Sequence, residues 1–234
     1  MKKLFAFNLA EIVLVMGIIG AIGVLGVANA KKDTDTSEKI AQLKKTYEIL
    51  DTAFTQAVME NGKVDTWGGT AAEIWPIISP YLKLTKNCGP EGGCWREGEL
   101  IKAKDRASIG RNIDPDAEFQ KGILANGVSI AIRRPGEEVI NGIELGESLI
   151  ILVDVNGKKG LNMLGNDVFG FWVDDLTDWQ YVAPITERGE RNDLIYESHD
   201  IFKSSWVLKY GNMDYLKKCG RENNLKWSSV HSCR

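Results

Sequence analysis

The chain has little histidine and no marked excess of either charge, and each shortage closes off a class of function. Only His199 and His231 occur in 234 residues. Neither stands in a G-x-S-x-G or H-E-x-x-H arrangement, so local sequence assembles no nucleophile with its base and no two-histidine zinc helix. His231-Ser232-Cys233 with Cys219 matches no zinc-finger spacing. No glycine-rich loop precedes a helix to cradle phosphate, and the acid pairs Glu137-Glu138 and Asp174-Asp175 read as solvated loop charges. An enzyme is therefore not expected. The formal net charge of −3 lacks the Lys and Arg excess of a general nucleic-acid binder, so no nucleic-acid partner is expected either. Internal repeats and low-complexity tracts are also missing.

What is present is unevenly distributed. From Ile12 to Ala30 no residue is charged. As a helix this stretch extends roughly 28 Å, against a bilayer hydrocarbon core of about 30 Å. Lys2 and Lys3 precede it and stay on the cytoplasmic side, which places the rest of the chain outside. There Cys88, Cys94, Cys219 and Cys233, two sequence-local couples, suit a disulfide framework, although four cysteines allow three connectivities. Glu11 fits poorly in such a run, because a carboxylate near the centre of a membrane helix costs about 2.5–3.5 kcal/mol and calls for a partner. Gly17, Gly20, Gly23 and Gly26 recur every third residue, a spacing that loosens a helix or lets neighbouring helices approach closely. Two plain readings of the run are open: a secretory signal peptide cut after Ala28-Asn29-Ala30, and an uncleaved anchor.

The stretch Ala6-Phe7-Asn8-Leu9-Ala10-Glu11-Ile12-Val13-Leu14 resembles the N-terminal signal of type IV pilins and type II secretion pseudopilins. There a short basic leader ends before a Phe, and a Glu follows four residues later. The resemblance implies cleavage between Ala6 and Phe7 by a prepilin peptidase, which also methylates the new amino group. It further implies that the ammonium on Phe7 pairs with Glu11 of a neighbouring subunit, neutralising two charges that otherwise sit in lipid and setting the axial register. Ala6 stands where the family has Gly, and the family's helix-kinking Pro is absent.

Beyond the apolar run, Ile40, Leu43, Tyr47, Leu50, Phe54 and Ala57 alternate three- and four-residue spacings and paint one helical stripe, with Lys39, Lys44, Lys45, Glu48, Asp51 and Glu60 elsewhere. Asp35 and Glu38 form a D-x-x-E variant of the capping box, which predicts a pause at Lys31–Thr34, and Asn61-Gly62 ends the helix. Loops and short helices follow, including Ala71–Leu82 with Pro76 and Pro80, then Cys88-Gly-Pro-Glu-Gly-Gly-Cys94, whose turn residues let the two cysteines meet. The runs Val128–Ile132, Leu149–Val155, Val168–Val173 and Trp179–Ala183 predict strands of an antiparallel meander.

The turn from Asp154 to Asp167 sets Asp154, Asn156, Asn162 and Asp167 among glycines, an oxygen-rich pattern of the kind calcium uses. Lys158 occupies a ligand position of an EF-hand loop and no Glu closes it, so this is not an EF-hand. A hairpin loop held by Asx turns is the alternative. The pattern, followed by Val168-Phe169-Gly170-Phe171, looks like a segment of pilin-like type II secretion components, some of which bind calcium. Ser205–Leu216 resembles the tail of such proteins. Trp206, Leu208, Tyr210, Tyr215 and Trp227 are expected to be core aromatic and apolar residues, and a Cys219–Cys233 bridge is what the resemblance implies for the terminal loop.

These readings predict an α+β fold: a long N-terminal helix, half membrane-spanning and half amphipathic, packed on a small antiparallel β-sheet domain in the pilin-like plan. The divisions fall at residues 1–6 (leader), 7–30 (transmembrane and assembly helix), 31–61 (amphipathic helix) and 62–234 (extracytoplasmic domain). The implied function is a pilin or pseudopilin of a type IV pilus or type II secretion pseudopilus. A bacterial inner membrane is its first location and an extracytoplasmic filament its second. Implied partners are the prepilin peptidase, other such subunits, the inner-membrane assembly platform and, before assembly, membrane lipid. A minor tip subunit with a binding, adhesion or DNA-uptake role, or a merely exported protein, is the alternative.

Overall fold

The structure, a computed structural model, describes residues 9–96, 115, 119–134, 139–140, 143–144, 148–160, 162–173, 182–185, 200–222 and 224–233, excepting the side chains of 9–33, 139–140, 143–144, 202 and 221. The chain divides into two compact units, Met1–Glu38 and Lys39–Arg234. In the first, the described side chains are polar, and Thr34, Asp35, Ser37 and Glu38 are exposed.

Helix α1 (Leu9–Asn61) runs through Lys31–Thr34 without a break, so the expected pause is absent. An Asp and a Glu three residues apart form a capping box only where the helix starts, and here the backbone is already helical. The helix stops where expected, the Gly62 N–H donating back to the Val58 carbonyl at 2.9 Å. Helix α2 (Ala71–Ile78) starts on a full capping box, Thr70 and Glu73 each satisfying the other's backbone N–H, and passes into a 3₁₀ turn at Ser79–Tyr81.

Among the described residues eight strands follow: β1 (Leu84–Gly89), β2 (Gln120–Leu124), β3 (Ser129–Arg133), β4 (Val139–Ile140), β5 (Ile143–Glu144), β6 (Leu149–Asp154), β7 (Val168–Val173) and β8 (Val182–Pro184). Six form one antiparallel sheet in the order β1-β2-β3-β6-β7-β8, while β4 and β5 make a separate hairpin. Side chains two apart share a face, and both faces of the central strands β3, β6 and β7 are buried. Ile130, Ile132, Leu149, Ile151, Val153, Phe169 and Phe171 join a core with Leu43, Leu50, Phe54 and Ala57 of α1, Ile74 and Ile78 of α2, and Trp206 and Val207 of α3 (Lys203–Tyr210). On the opposite face Ala131, Ile150, Leu152, Val168 and Trp172 pack with Cys88, Cys94, Trp95, Phe119, Ile185 and Ile201.

The expected fold class needs correcting. Among the described residues no helix is long and apolar enough to cross a membrane. The architecture shown is a six-stranded antiparallel sheet with helices, rather than a half-membrane helix on a small sheet. The physical reason lies in the side chains: from Thr34 onward α1 buries only one stripe and exposes charge on the rest, and a second apolar layer covers the far face of the sheet. The expectations for Ala6 and Phe7, and for the side chain of Glu11, lie outside the described residues.

Candidate cation-binding turn

Strands β6 and β7 pair in register from Leu149↔Val173 to Asp154↔Val168, and the thirteen residues from Val155 to Asp167 must then reverse the chain. Two glycines set its path. Gly157 has φ +62°, and a Cβ there would lie 2.8 Å from the Gly127 carbonyl in the β2–β3 turn. Gly165 has φ +72°, and its Cβ would lie 2.8 Å from Lys203 Cγ on α3. Only glycine takes these conformations without strain while its backbone approaches so closely. The turn is thus pressed between two neighbouring segments.

Three of the four residues singled out by the sequence are linked by hydrogen bonds. The Asn156 N–H donates to Asp154 Oδ1 at 3.2 Å and its Nδ2 to Asp167 Oδ2 at 3.3 Å. Asp167 also accepts from the Met163 N–H at 2.7 Å and from Asn166 Nδ2 at 3.5 Å. Asn162 lies beside Met163 on the other arm of the turn, its side chain buried. Asp154 is 0 % exposed and Asp167 3 %, so both carboxylates lie in the interior, where charge is expensive. Burial pushes the Asp167 carboxyl above its ordinary value, opposed by the Met163 N–H, the Lys39 ammonium and the Asn156 amide. Lys39 itself donates to Asn166 Oδ1 at 3.4 Å.

Asn156 Oδ1 is shielded from solvent and accepts no hydrogen bond. The half-buried Asn156, the two buried carboxylates and the buried Asn162 amide give the turn oxygen donors of the kind a hard cation uses, although the Asn156 oxygen is on the end of its amide turned away from Asp167. Among the described residues no three His, Cys, Asp or Glu side chains gather, so such a site draws on amide oxygens as well as carboxylates.

Sequence reasoning did not find what holds the turn from outside. Tyr215 Oη donates to the Gly165 carbonyl at 2.8 Å from a buried position, and Lys203 Nζ lies 5.7 Å from the Tyr215 ring centroid. Burial first, and the negative charge of Asp200 second, push the Tyr215 hydroxyl well above its ordinary value. Tyr215 was expected in the core, but no local pattern marks its bond to Gly165, which spans fifty positions of chain.

The cysteines pair as Cys88–Cys94 and Cys219–Cys233, with Cα atoms 6.1 and 6.0 Å apart. The second bridge closes the tail over an aromatic cluster in which Trp206 meets Tyr210 and Trp227 edge-on and His231 stacks on Tyr210 at 4.1 Å. Asp214 fastens it, accepting the Cys233 N–H at 2.8 Å and pairing with Lys217 at 2.7 Å. These cysteines and His231 are therefore committed to structure.

Compared with known proteins, the chain matches no family model, no curated protein and no solved structure.

Proposed function

We propose that the chain is a structural subunit of a type IV pilin-like filament, a pilin or a type II secretion pseudopilin. One observation carries this reading: Glu11 interrupts an otherwise uncharged run four residues after Phe7, behind the basic leader Lys2-Lys3. An ordinary signal peptide or anchor has no use for a carboxylate at that depth. A subunit whose new N-terminal ammonium needs a partner does. In this reading a prepilin peptidase cuts after Ala6, the inner-membrane platform and membrane lipid hold the subunit before assembly, and neighbouring subunits join through Phe7 and Glu11. The domain beyond Lys39 is then the exported part, where its two disulfides are stable.

The mature N-terminus tests the proposal. Sequencing the protein from its native membrane should give N-methylated phenylalanine, Phe7, as the first residue. Lys31 at the terminus would mean a secretory signal peptide, and Met1 an uncleaved anchor; either result removes the proposal.

A further inference from the structure

We propose that Lys39 and Asn166 join in an intramolecular isopeptide bond, a covalent link between helix α1 and the β6–β7 turn, with Asp167 carrying the proton. The inference concerns the domain from Lys39 onward and holds whichever N-terminus the chain has. Three side chains of different chemistry meet here. Lys39 Nζ lies 3.4 Å from the amide oxygen of Asn166. The other end of that amide, Nδ2, lies 3.5 Å from Asp167 Oδ2. An amine thus stands at the carbonyl and a carboxyl at the leaving nitrogen, the two places where exchange of an amide needs a nucleophile and a proton donor.

A lysine and an asparagine that meet only in passing do not react, because an amide is a poor electrophile. Here the turn holds Asn166 in place: the N–H groups of Asn166, Asp167 and Val168 converge on the Met163 carbonyl at 3.1, 3.2 and 3.1 Å. Lys39 and Asn166 are both half-buried, and Asp167 is 3 % exposed. Fixed proximity raises the effective concentration of such a pair by orders of magnitude. Passing one proton from the Lys39 ammonium to the Asp167 carboxylate removes two charges from a site where water solvates them poorly. The Nζ lone pair then attacks Asn166 Cγ and forms the new bond. As the carbonyl re-forms, the Cγ–Nδ2 bond breaks and Nδ2 takes the proton from Asp167, while the carboxylate removes the surplus proton from Nζ. In sum an ammonium and a primary amide become a secondary amide and an ammonium ion, with no oxidant or other reactant.

Peptide mass spectrometry tests the bond. The folded full chain is reduced, denatured and digested with trypsin. One branched peptide should appear, holding Lys39 and Asn166 together, lighter by one ammonia than the two linear peptides and uncut after Lys39. Lys39→Arg keeps a cation and its hydrogen bond, but a guanidinium does not deprotonate. It should give linear peptides only and melt below the wild type, since it leaves open a loop of 127 positions. Asp167→Asn should lose most of the branched peptide although Lys39 and Asn166 remain, and Lys45→Arg, on the exposed side of α1, should keep it. Linear Lys39 and Asn166 peptides at full mass from the folded wild type overturn the proposal without need of any variant. An undiminished yield of branched peptide from Asp167→Asn overturns the role given to Asp167.

Discussion

Replacing Tyr215 by Phe tests whether the tail holds the β6–β7 turn in place. The substitution keeps the ring, and with it the approach of Lys203 Nζ at 5.7 Å, and removes only the hydroxyl that donates to the Gly165 carbonyl at 2.8 Å. Losing that bond in the interior and leaving the carbonyl short of a donor costs about 2 kcal/mol. For a domain of this size each kcal/mol moves the melting temperature by about 2–4 °C, so a fall of about 4–8 °C is expected. Thermal denaturation followed by near-ultraviolet circular dichroism reads it. Tyr81→Phe, whose hydroxyl meets Glu60 and Asn61 at the surface, serves as the control and should change little. A Tyr215→Phe protein that melts with the wild type would refute the idea that this contact carries stability.

The same residue predicts an alkaline effect. Its hydroxyl is held well above the ordinary 10.0 in the folded chain, so above that pH the unfolded state releases a proton that the native state keeps. Stability contributed by Tyr215 is therefore complete below about pH 10 and lost as pH rises past it. Urea titrations across this range should show the advantage of wild type over Tyr215→Phe shrinking. At Gly170, a Cβ would lie 2.6 Å from Ile201 Cγ1 and 2.8 Å from Ile185 Cδ1. Gly170→Ala should thus cost about 1–3 kcal/mol by overpacking, seen as a lower urea midpoint.

Much of the sheet's centre was legible because burial on both faces leaves an unbroken apolar run. β6 and β7 are wholly buried and read as dense apolar runs, Leu149–Val153 and Val168–Val173. The edge strand β1, Leu-Thr-Lys-Asn-Cys-Gly, left no such mark: its Thr85, Lys86 and Asn87 face solvent and its pairing with β2 is bulged. β2 was hidden by Lys121 and Gly122. Lys121 is 0 % exposed, its ammonium donating to the Pro90 carbonyl at 2.9 Å, a role no charge pattern announces. Gly122 lets Leu84 approach where a Cβ would lie 2.9 Å from its Cδ2.

The candidate site divides the same way. Asp154, Asn156, Asn162 and Asp167 were legible as a local spacing of oxygens among glycines, and local spacing suffices because one turn holds all four. Lys39, Lys203 and Tyr215 reach that turn from distant parts of the chain and are set by tertiary packing.

For the proposed filament role, the decisive experiment is incorporation of Glu11→Ala alongside wild type. With the carboxylate gone, the Phe7 ammonium has no partner in the neighbouring subunit, while the leader and cleavage position are unchanged. The variant should be inserted and processed to the same N-terminus and yet be absent from sheared filaments. Incorporation at wild-type level would contradict the claim that Glu11 sets the register between subunits.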